Sequence, residues 1–469
     1  QGFFLKQGKE ITQLNLETFE YEPVKKLKTP SIEMAKQARG LANKVKTLVY
    51  AKDRTGELLW NIFAPTLIYS AKLTGEIADD IIAIDNALKW GFGWAQGPFE
   101  MWDAIGVKHS VEKMKEEGRE IPAFVQGLLD KGLDTFYSEI DGDLAYYDGT
   151  QYVKVPVNEK AIDLKRYKKK HGVIKSNSGA SLIDLQDGVL LLEFHSQSNA
   201  IGLDIIQMLN AAIDELENNA TYKGLVIGNQ GKNFCVGANL GMILMEAQDD
   251  NIFELDFVIN SFQKAMRRIK YAAKPVVAAP FQMTLGGGAE VCLPAAHIQA
   301  SAETYIGLVE AGVGVIPGGA GNLGLYEKFL KGLPNGVDID LQAVVNKVFE
   351  TIAMAKVSTS GEEARENNFL DFADGVSVNP DHLIYDAKQA AIALYDAGYR
   401  APVKKKVKVV GAPGYATLLL GAQGMYDSGF ISEYDLAIAK KLAFVLAGGL
   451  VPYGTEVEEE YILGLEKKV

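Results

Sequence analysis

From Ser31 the apolar positions Ala35, Ala38, Leu41, Ala42, Val45 and Leu48 recur at three- and four-residue spacing. That is the period of a helix burying one stripe. The pattern returns over 57–73 and 78–90. Gly91-Phe92-Gly93-Trp94 stops the second of these, Pro98-Phe99-Glu100 opens another helix, and Pro122 to Leu129 adds one more. Residues 31–133 thus predict a mostly α-helical body, followed by a small hairpin around Tyr146–Tyr152, within a first domain of 31–176. The tryptophans Trp90, Trp94 and Trp102 read as core. The basic run Lys165–His171 reads as a solvated linker. Residues 1–30 are polar and irregular. Their opening, Gln1-Gly2-Phe3-Phe4-Leu5, reads as the end of a strand, so the chain is expected to be a piece of a longer protein, cut or matured from it.

The period changes near Ser178. Ser181–Gln186 alternates, Val189–Phe194 is continuously apolar, and Asp187-Gly188 between them predicts a hairpin. Ile205, Met208, Leu209, Ala212, Ile213 and Leu216 form a helix stripe, while Gly224–Ile227 and Pro275–Ala279 read as short buried strands. Strand, strand, helix in recurrence predicts an α/β domain of stacked ββα units over 178–400, completed by a helical region at 401–469.

The 469 residues carry a net charge of −12, which excludes the basic footprint of a nucleic-acid binder. No apolar run is long enough to span a bilayer, and no signal peptide is legible. A cytoplasmic protein without stable membrane insertion is expected. Cys235 and Cys292 lie in apolar surroundings and read as buried thiols, and the five histidines are scattered, so no metal site is expected.

Candidate chemistry concentrates in Thr284-Leu285-Gly286-Gly287-Gly288-Ala289-Glu290, with Glu310 further on. Consecutive glycines let the backbone approach a ligand, and a helix beginning near Gly288 would leave amides free for an anion. A thioester oxygen becoming an enolate needs such donors. Phe234-Cys235-Val236-Gly237-Ala238-Asn239, after the strand at 224–227, could supply a second amide, and two carboxylates nearby could handle a water and an α-proton. On spacing alone, glycine triplets also serve as turns, and most glutamates are solvated surface residues. Gly312-Val313-Gly314-Val315-Ile316-Pro317 lacks the last glycine of a dinucleotide loop, and Gly228–Asn233 lacks the spacing of a phosphate loop.

These residues resemble the enoyl-CoA hydratase/isomerase (crotonase) family across 178–400. Ser198-Asn199-Ala200 is similar to its Asn-Ala loop near CoA, and Phe234–Leu240 to its first oxyanion segment. Lys274–Ala279 with Gly286–Glu290 matches its central signature, and Ile306–Glu310 its second glutamate segment. Ile316–Gly321 and Ser360–Ala364 are similar to later elements. The resemblance implies a crotonase-type ββα spiral with Glu290 and Glu310 as the catalytic pair and the amides of Ala238 and Gly287 as the oxyanion hole. It implies Asn199, Ala200, Gly237, Asn239, Gly286 and Gly318 near the CoA thioester substrate. Leu308-Val309, Asn239, Ala296 and His195-Ser196-Gln197 depart from the family's usual residues, which bears on substrate range and CoA affinity. Double-bond isomerisation, thioester hydrolysis or a non-catalytic acyl-CoA-binding role stay open beside hydration.

Asp79–Ala87, Gly91–Trp94 and Gly97–Glu100 resemble the C-terminal helical domain of 3-hydroxyacyl-CoA dehydrogenases, and Gly2-Phe3-Phe4 the end of a preceding copy. This implies the C-terminal part of a bifunctional β-oxidation enzyme whose NAD-binding domain lies outside these residues, with no cofactor held here. Asn61 sits one place from that family's catalytic asparagine, so the role is not carried over. The resemblance also implies a homo-oligomer, dimer or trimer. Lys404, Lys405, Lys406 and Lys408 read as a solvated face or as a contact for the CoA 3′-phosphate.

Overall fold

The computed structural model describes residues 2–8, 10–24, 28–332 and 339–469. The chain divides into two compact units, 1–157 and 158–469. The division lies ahead of the expected boundary near 176–178. Leu164, just ahead of the basic run, is buried with Ile183, Leu185 and Leu191 of the second unit, and Lys168 in the run pairs with the largely buried Glu193 at 2.6 Å. The run is therefore a helix docked on the second unit, not a solvated linker.

The first unit opens with an antiparallel sheet of β1 (Phe4–Gln7), β2 (Glu10–Leu14) and β3 (Tyr21–Pro23), where the sequence pattern predicts only a strand end at 1–5 and otherwise an irregular stretch. Helices follow: α1 (Pro30–Gln37), α2 (Leu41–Val49), α3 (Arg54–Leu73), α4 (Ile81–Phe92), α5 (Pro98–Ile105), α6 (Val107–Glu116) and α7 (Ala123–Asp130). A sheet of β4 (Tyr137–Ile140), β5 (Asp143–Tyr147) and β6 (Tyr152–Lys154) closes the unit, with Tyr147 opposite Tyr152. The periodicity at 35–48 belongs to two helices, because Gly40 turns the chain at φ +79°.

Asp85 on α4 is fully buried. Its carboxylate accepts from the Phe99 and Glu100 amides at the start of α5 and from the Tyr137 hydroxyl, at 2.8, 3.1 and 2.8 Å. It thus satisfies amides that a helix start leaves open. Trp102 is buried as expected, but Trp90 and Trp94 are exposed by 73% and 39%. They lie at and just beyond the end of α4, past the positions whose side chains the core covers.

The second unit runs α8 (Leu164–His171), β7 (Lys175–Ser176), β8 (Ala180–Asp184), β9 (Val189–Phe194), α9 (Leu203–Asn218), β10 (Gly224–Gly228), α10 (Leu240–Gln248), α11 (Ile252–Lys270), β11 (Val276–Ala278) and β12 (Gln282–Leu285). It continues with α12 (Gly287–Cys292), β13 (His297–Ser301), β14 (Thr304–Gly307), α13 (Gly321–Leu330), α14 (Leu341–Ala353), α15 (Gly361–Glu366), β15 (Gly375–Ser377) and α16 (Leu383–Asp396). It ends with β16 (Val407–Lys408), α17 (Gly411–Asp427), α18 (Glu433–Leu446), β17 (Glu456–Val457) and α19 (Glu459–Lys468).

Seven strands form a mixed sheet in the order β15-β13-β11-β10-β9-β8-β7, parallel from β9 to β15 and antiparallel at the β7–β8–β9 edge. β12 and β14 form a separate parallel pair. Successive side chains on a strand face opposite ways. Leu190, Leu192 and Phe194 of β9 accordingly enter the main core, while Val189 and Leu191 enter a second core beneath α16. Burial on both faces is why this strand reads as a continuous apolar run.

Candidate active site

The parallel pair β12–β14 builds the site. Its register sets Leu285 beside Gly307, and the Gly286 amide bonds the Gly307 carbonyl at 2.9 Å. The residues just past both strands, Gly286–Gly287 and Val309–Glu310, therefore emerge at the same end. A bridge from Cys235 to Thr284 brings in a third chain, with Cys235 N to Met283 O at 3.1 Å and Leu285 N to Cys235 O at 2.9 Å. The two glycine-bearing segments and Glu310 thus meet because three extended stretches run side by side.

Ala238 and Gly287 lie side by side. A Cβ on Gly287 would lie 3.4 Å from the Ala238 nitrogen. The Gly237 carbonyl and Asn239 amide on either side of Ala238 are engaged by Ile201, at 2.9 and 3.0 Å. Alternation along the extended backbone turns the Ala238 N–H away from that bridge. Gly287 is the first residue of α12, where the helix offers its N–H no partner.

Glu290 is buried on α12, and its Oε1 accepts from the amides of Gly319 and Gly321, each at 2.8 Å. Burial raises its carboxyl above the usual range, and the two amides oppose that rise. Glu310 begins a short 3-10 turn, Glu310–Val313. Its Oε2 is buried without a hydrogen-bond partner among the described residues. Burial first, and the negative charge of Glu290 second, hold its carboxyl well above the usual range. The two carboxyls differ in kind. Glu290 has donors that suit its ionised form, and Glu310 has an oxygen free to carry a proton.

Gly286 has φ +52°, and a Cβ there would stand 3.0 Å from Glu310 Oε1. This position requires glycine by both conformation and space. A Cβ on Gly321 would come within 2.7 Å of Glu290 Oε1.

The other expected ligand-contacting residues are at or near this place, several with internal duties. The Asn199 amide nitrogen donates to Asn229 Oδ1 and the Asn233 carbonyl, at 3.1 and 2.9 Å, so its side chain ties the 229–233 loop. Ala200 accepts from the Ser196 hydroxyl at 2.8 Å. Asn239 caps α10 through the Met242 amide at 3.2 Å. Gly318 accepts from Gln263 at 3.0 Å.

Sequence reasoning missed Glu466, which is buried on α19 close to Glu290. It sits far along the chain in a segment that reads only as a charged helix end. A cavity of about 950 Å³ reaches Glu290, with Leu293, Ala320, Leu323 and Leu463 also in its wall, but Ala238, Gly287, Glu310 and Glu466 do not line it. Gly312–Pro317 forms the 3-10 turn and a following loop rather than a strand–loop–helix, so these residues do not fit a dinucleotide.

Residues 184–330 match the family model "Enoyl-CoA hydratase/isomerase". This part of the chain carries the likeness to that family. The α/β expectation, with a helical part ahead of it and a mixed sheet within it, holds for the whole chain. The full chain is 61% identical over 468 residues to the Bacillus subtilis (strain 168) "Probable 3-hydroxyacyl-CoA dehydrogenase", of which it spans 58%. Over 68% of its length it is 28% identical to the "Putative fatty acid oxidation complex trifunctional enzyme" of Rickettsia prowazekii (strain Madrid E), spanning 40% of that protein. The chain thus covers roughly half the length of these relatives. A solved enoyl-CoA hydratase from Polaromonas sp. JS666 aligns with 57% of this chain and 90% of its own, at 18% identity and a TM-score of 0.39. Among the described residues no helix is long and apolar enough to cross a membrane.

Proposed function

We propose that the second unit hydrates trans-2-enoyl-CoA thioesters to 3-hydroxyacyl-CoA, as a step of fatty-acid β-oxidation. The observation that carries this reading is the unequal pair of buried carboxyls, Glu290 held by two amides and Glu310 with an unpartnered oxygen. Glu290, gripped by two N–H donors, takes a proton from a water held between the carboxyls, and the water oxygen attacks C3. Electron density moves to the thioester oxygen, which the Ala238 and Gly287 amides receive. Glu310, kept protonated by burial and by its neighbour's charge, delivers a proton to C2. Two titratable groups whose surroundings push them apart divide the base and acid roles in this way. Asn199, Ala200, Gly237, Asn239, Gly286 and Gly318 surround the CoA thioester as backbone and loop-forming residues.

The whole protein of which these residues form part is proposed also to oxidise 3-hydroxyacyl-CoA with NAD. The name and greater length of the Bacillus subtilis relative support this. No step here runs through NAD, and a cytoplasmic location and a homo-oligomeric state belong to the same proposal.

The test follows the absorbance of the conjugated thioester of crotonyl-CoA. Wild type should consume it, and Glu290→Gln and Glu310→Gln should each lose about 10²–10⁴ in kcat, the usual worth of one general acid or base. Wild type that binds CoA but hydrates neither short nor long enoyl-CoAs would sink the proposal and turn attention to double-bond isomerisation.

A further inference from the structure

Between Pro317 and Asn322 the backbone is shared by two carboxylates from distant parts of the chain. The Gly319 and Gly321 amides go to Glu290 Oε1, each at 2.8 Å. The amide between them, of Ala320, turns the other way to Glu466 Oε2 at 3.1 Å. Ala320 sits at φ +80°, a conformation that costs a residue with a Cβ and persists only where its surroundings impose it.

Glu466 supplies that imposition. Its Oε1 accepts from Asn322 Nδ2 at 3.1 Å, and the same nitrogen donates to the Pro317 carbonyl at 2.8 Å. Its Oε2 also accepts from Gln263 Nε2 at 3.2 Å, and Gln263 in turn donates to the Gly318 carbonyl at 3.0 Å. Every residue from 317 to 322 thus touches Glu466, a partner of Glu466, or Glu290. The Ala320 amide and the side-chain nitrogens of Gln263 and Asn322 all donate to Glu466, whose two oxygens accept them.

We infer that Glu466 is a positioning residue for the Glu290 base, holding the 317–322 loop in the one geometry that presents two amides to Glu290. The inference rests on the hydratase reading of Glu290. Glu466 touches no reacting atom and acts through the loop. Substituting it lets Ala320 relax toward an ordinary conformation, rotates the flanking amides off Glu290, and leaves the base misdirected. A displacement of about 1 Å in a reacting group can cost on the order of 10²-fold in rate.

The experiment measures kcat and KM for crotonyl-CoA in Glu466→Gln, Glu466→Ala and each combined with Glu290→Gln. Glu466→Gln keeps the side chain's length and one acceptor, so it holds α19 in place even if the alanine variant does not fold. The expected result is a kcat loss of about 10-fold for the glutamine variant and about 10²-fold for alanine, with KM within about twofold. In the Glu290→Gln background neither substitution should lower kcat further, because the residue it acts through is gone. Wild-type kcat in Glu466→Gln, a loss confined to KM, or an equal further loss in the Glu290→Gln background overturns the inference while leaving the hydratase reading intact. An inactive wild type overturns both.

Discussion

Glu290 and Glu310 are each one residue among many glutamates, and what separates them from the rest is where their protons reside. Hydration requires Glu290 ionised and Glu310 protonated. Burial lifts Glu290 to about 7, and burial first, then the charge of Glu290, hold Glu310 well above the usual carboxyl range. The kcat profile for crotonyl-CoA should therefore rise with pH through an acid limb near pH 7 and fall at higher pH as Glu310 loses its proton. Glu310→Gln should remove the alkaline limb from whatever activity remains. At Gly286, alanine brings both a strained φ and a methyl 3.0 Å from Glu310 Oε1. Gly286→Ala should lower kcat at least 10-fold, while the conformational strain costs about 1–3 kcal/mol in urea unfolding.

Among the elements, α5 depends on a carboxylate that is not its own. Asp85, from α4, closes its first turn and takes the Tyr137 hydroxyl as well. Asp85→Ala would leave two amides and a hydroxyl without their acceptor inside the first unit. Unsatisfied buried donors cost about 1–3 kcal/mol each before relaxation. A loss of about 3 kcal/mol in the unfolding of the full chain, with crotonyl-CoA hydration unchanged, is the expected outcome. The sequence pattern located α5 through Pro98 and the periodic helices around it, but not its cap, because Asp85 reads as one more polar residue on α4. It missed α6 and the β1–β3 sheet for a related reason. Val107–Glu116 carries a narrow apolar stripe in a lysine-rich run, and the strands are short, with no buried residue among those described. The hairpin at 180–194 was legible because Asp187-Gly188 separates two apolar runs. The site segments were legible because glycines mark places where the backbone must turn or lie close to its neighbours. Glu466 left no such mark, since its meaning comes wholly from the partners the fold gives it.

For the whole molecule, the second unit gathers Glu290, Glu310 and Glu466, carboxyls whose protons bind more tightly in the folded state than in the unfolded chain. Glu466 is lifted to about 8 by burial and by Glu290. A carboxyl raised on folding stabilises fully below its unfolded value of 4.5, and that contribution is lost as pH climbs through the folded value. The midpoint of thermal unfolding of this unit should therefore fall between pH 5 and pH 9. Glu466→Gln should flatten that slope. A slope unchanged by the substitution would show that Glu466 does not hold its proton in this range.

The bonds that tie Glu466 to the loop and to Gln263 join positions 146 and 203 residues apart. Contacts between such remote stretches must wait for the chain between them to be ordered, so they close late. During refolding, helix content should recover first and hydratase turnover should lag behind it, because the grip on Glu290 forms only when α19 docks. A protease or chaperone meeting the chain in that interval would find a nearly finished fold in which Glu290 is not yet gripped by the 317–322 loop.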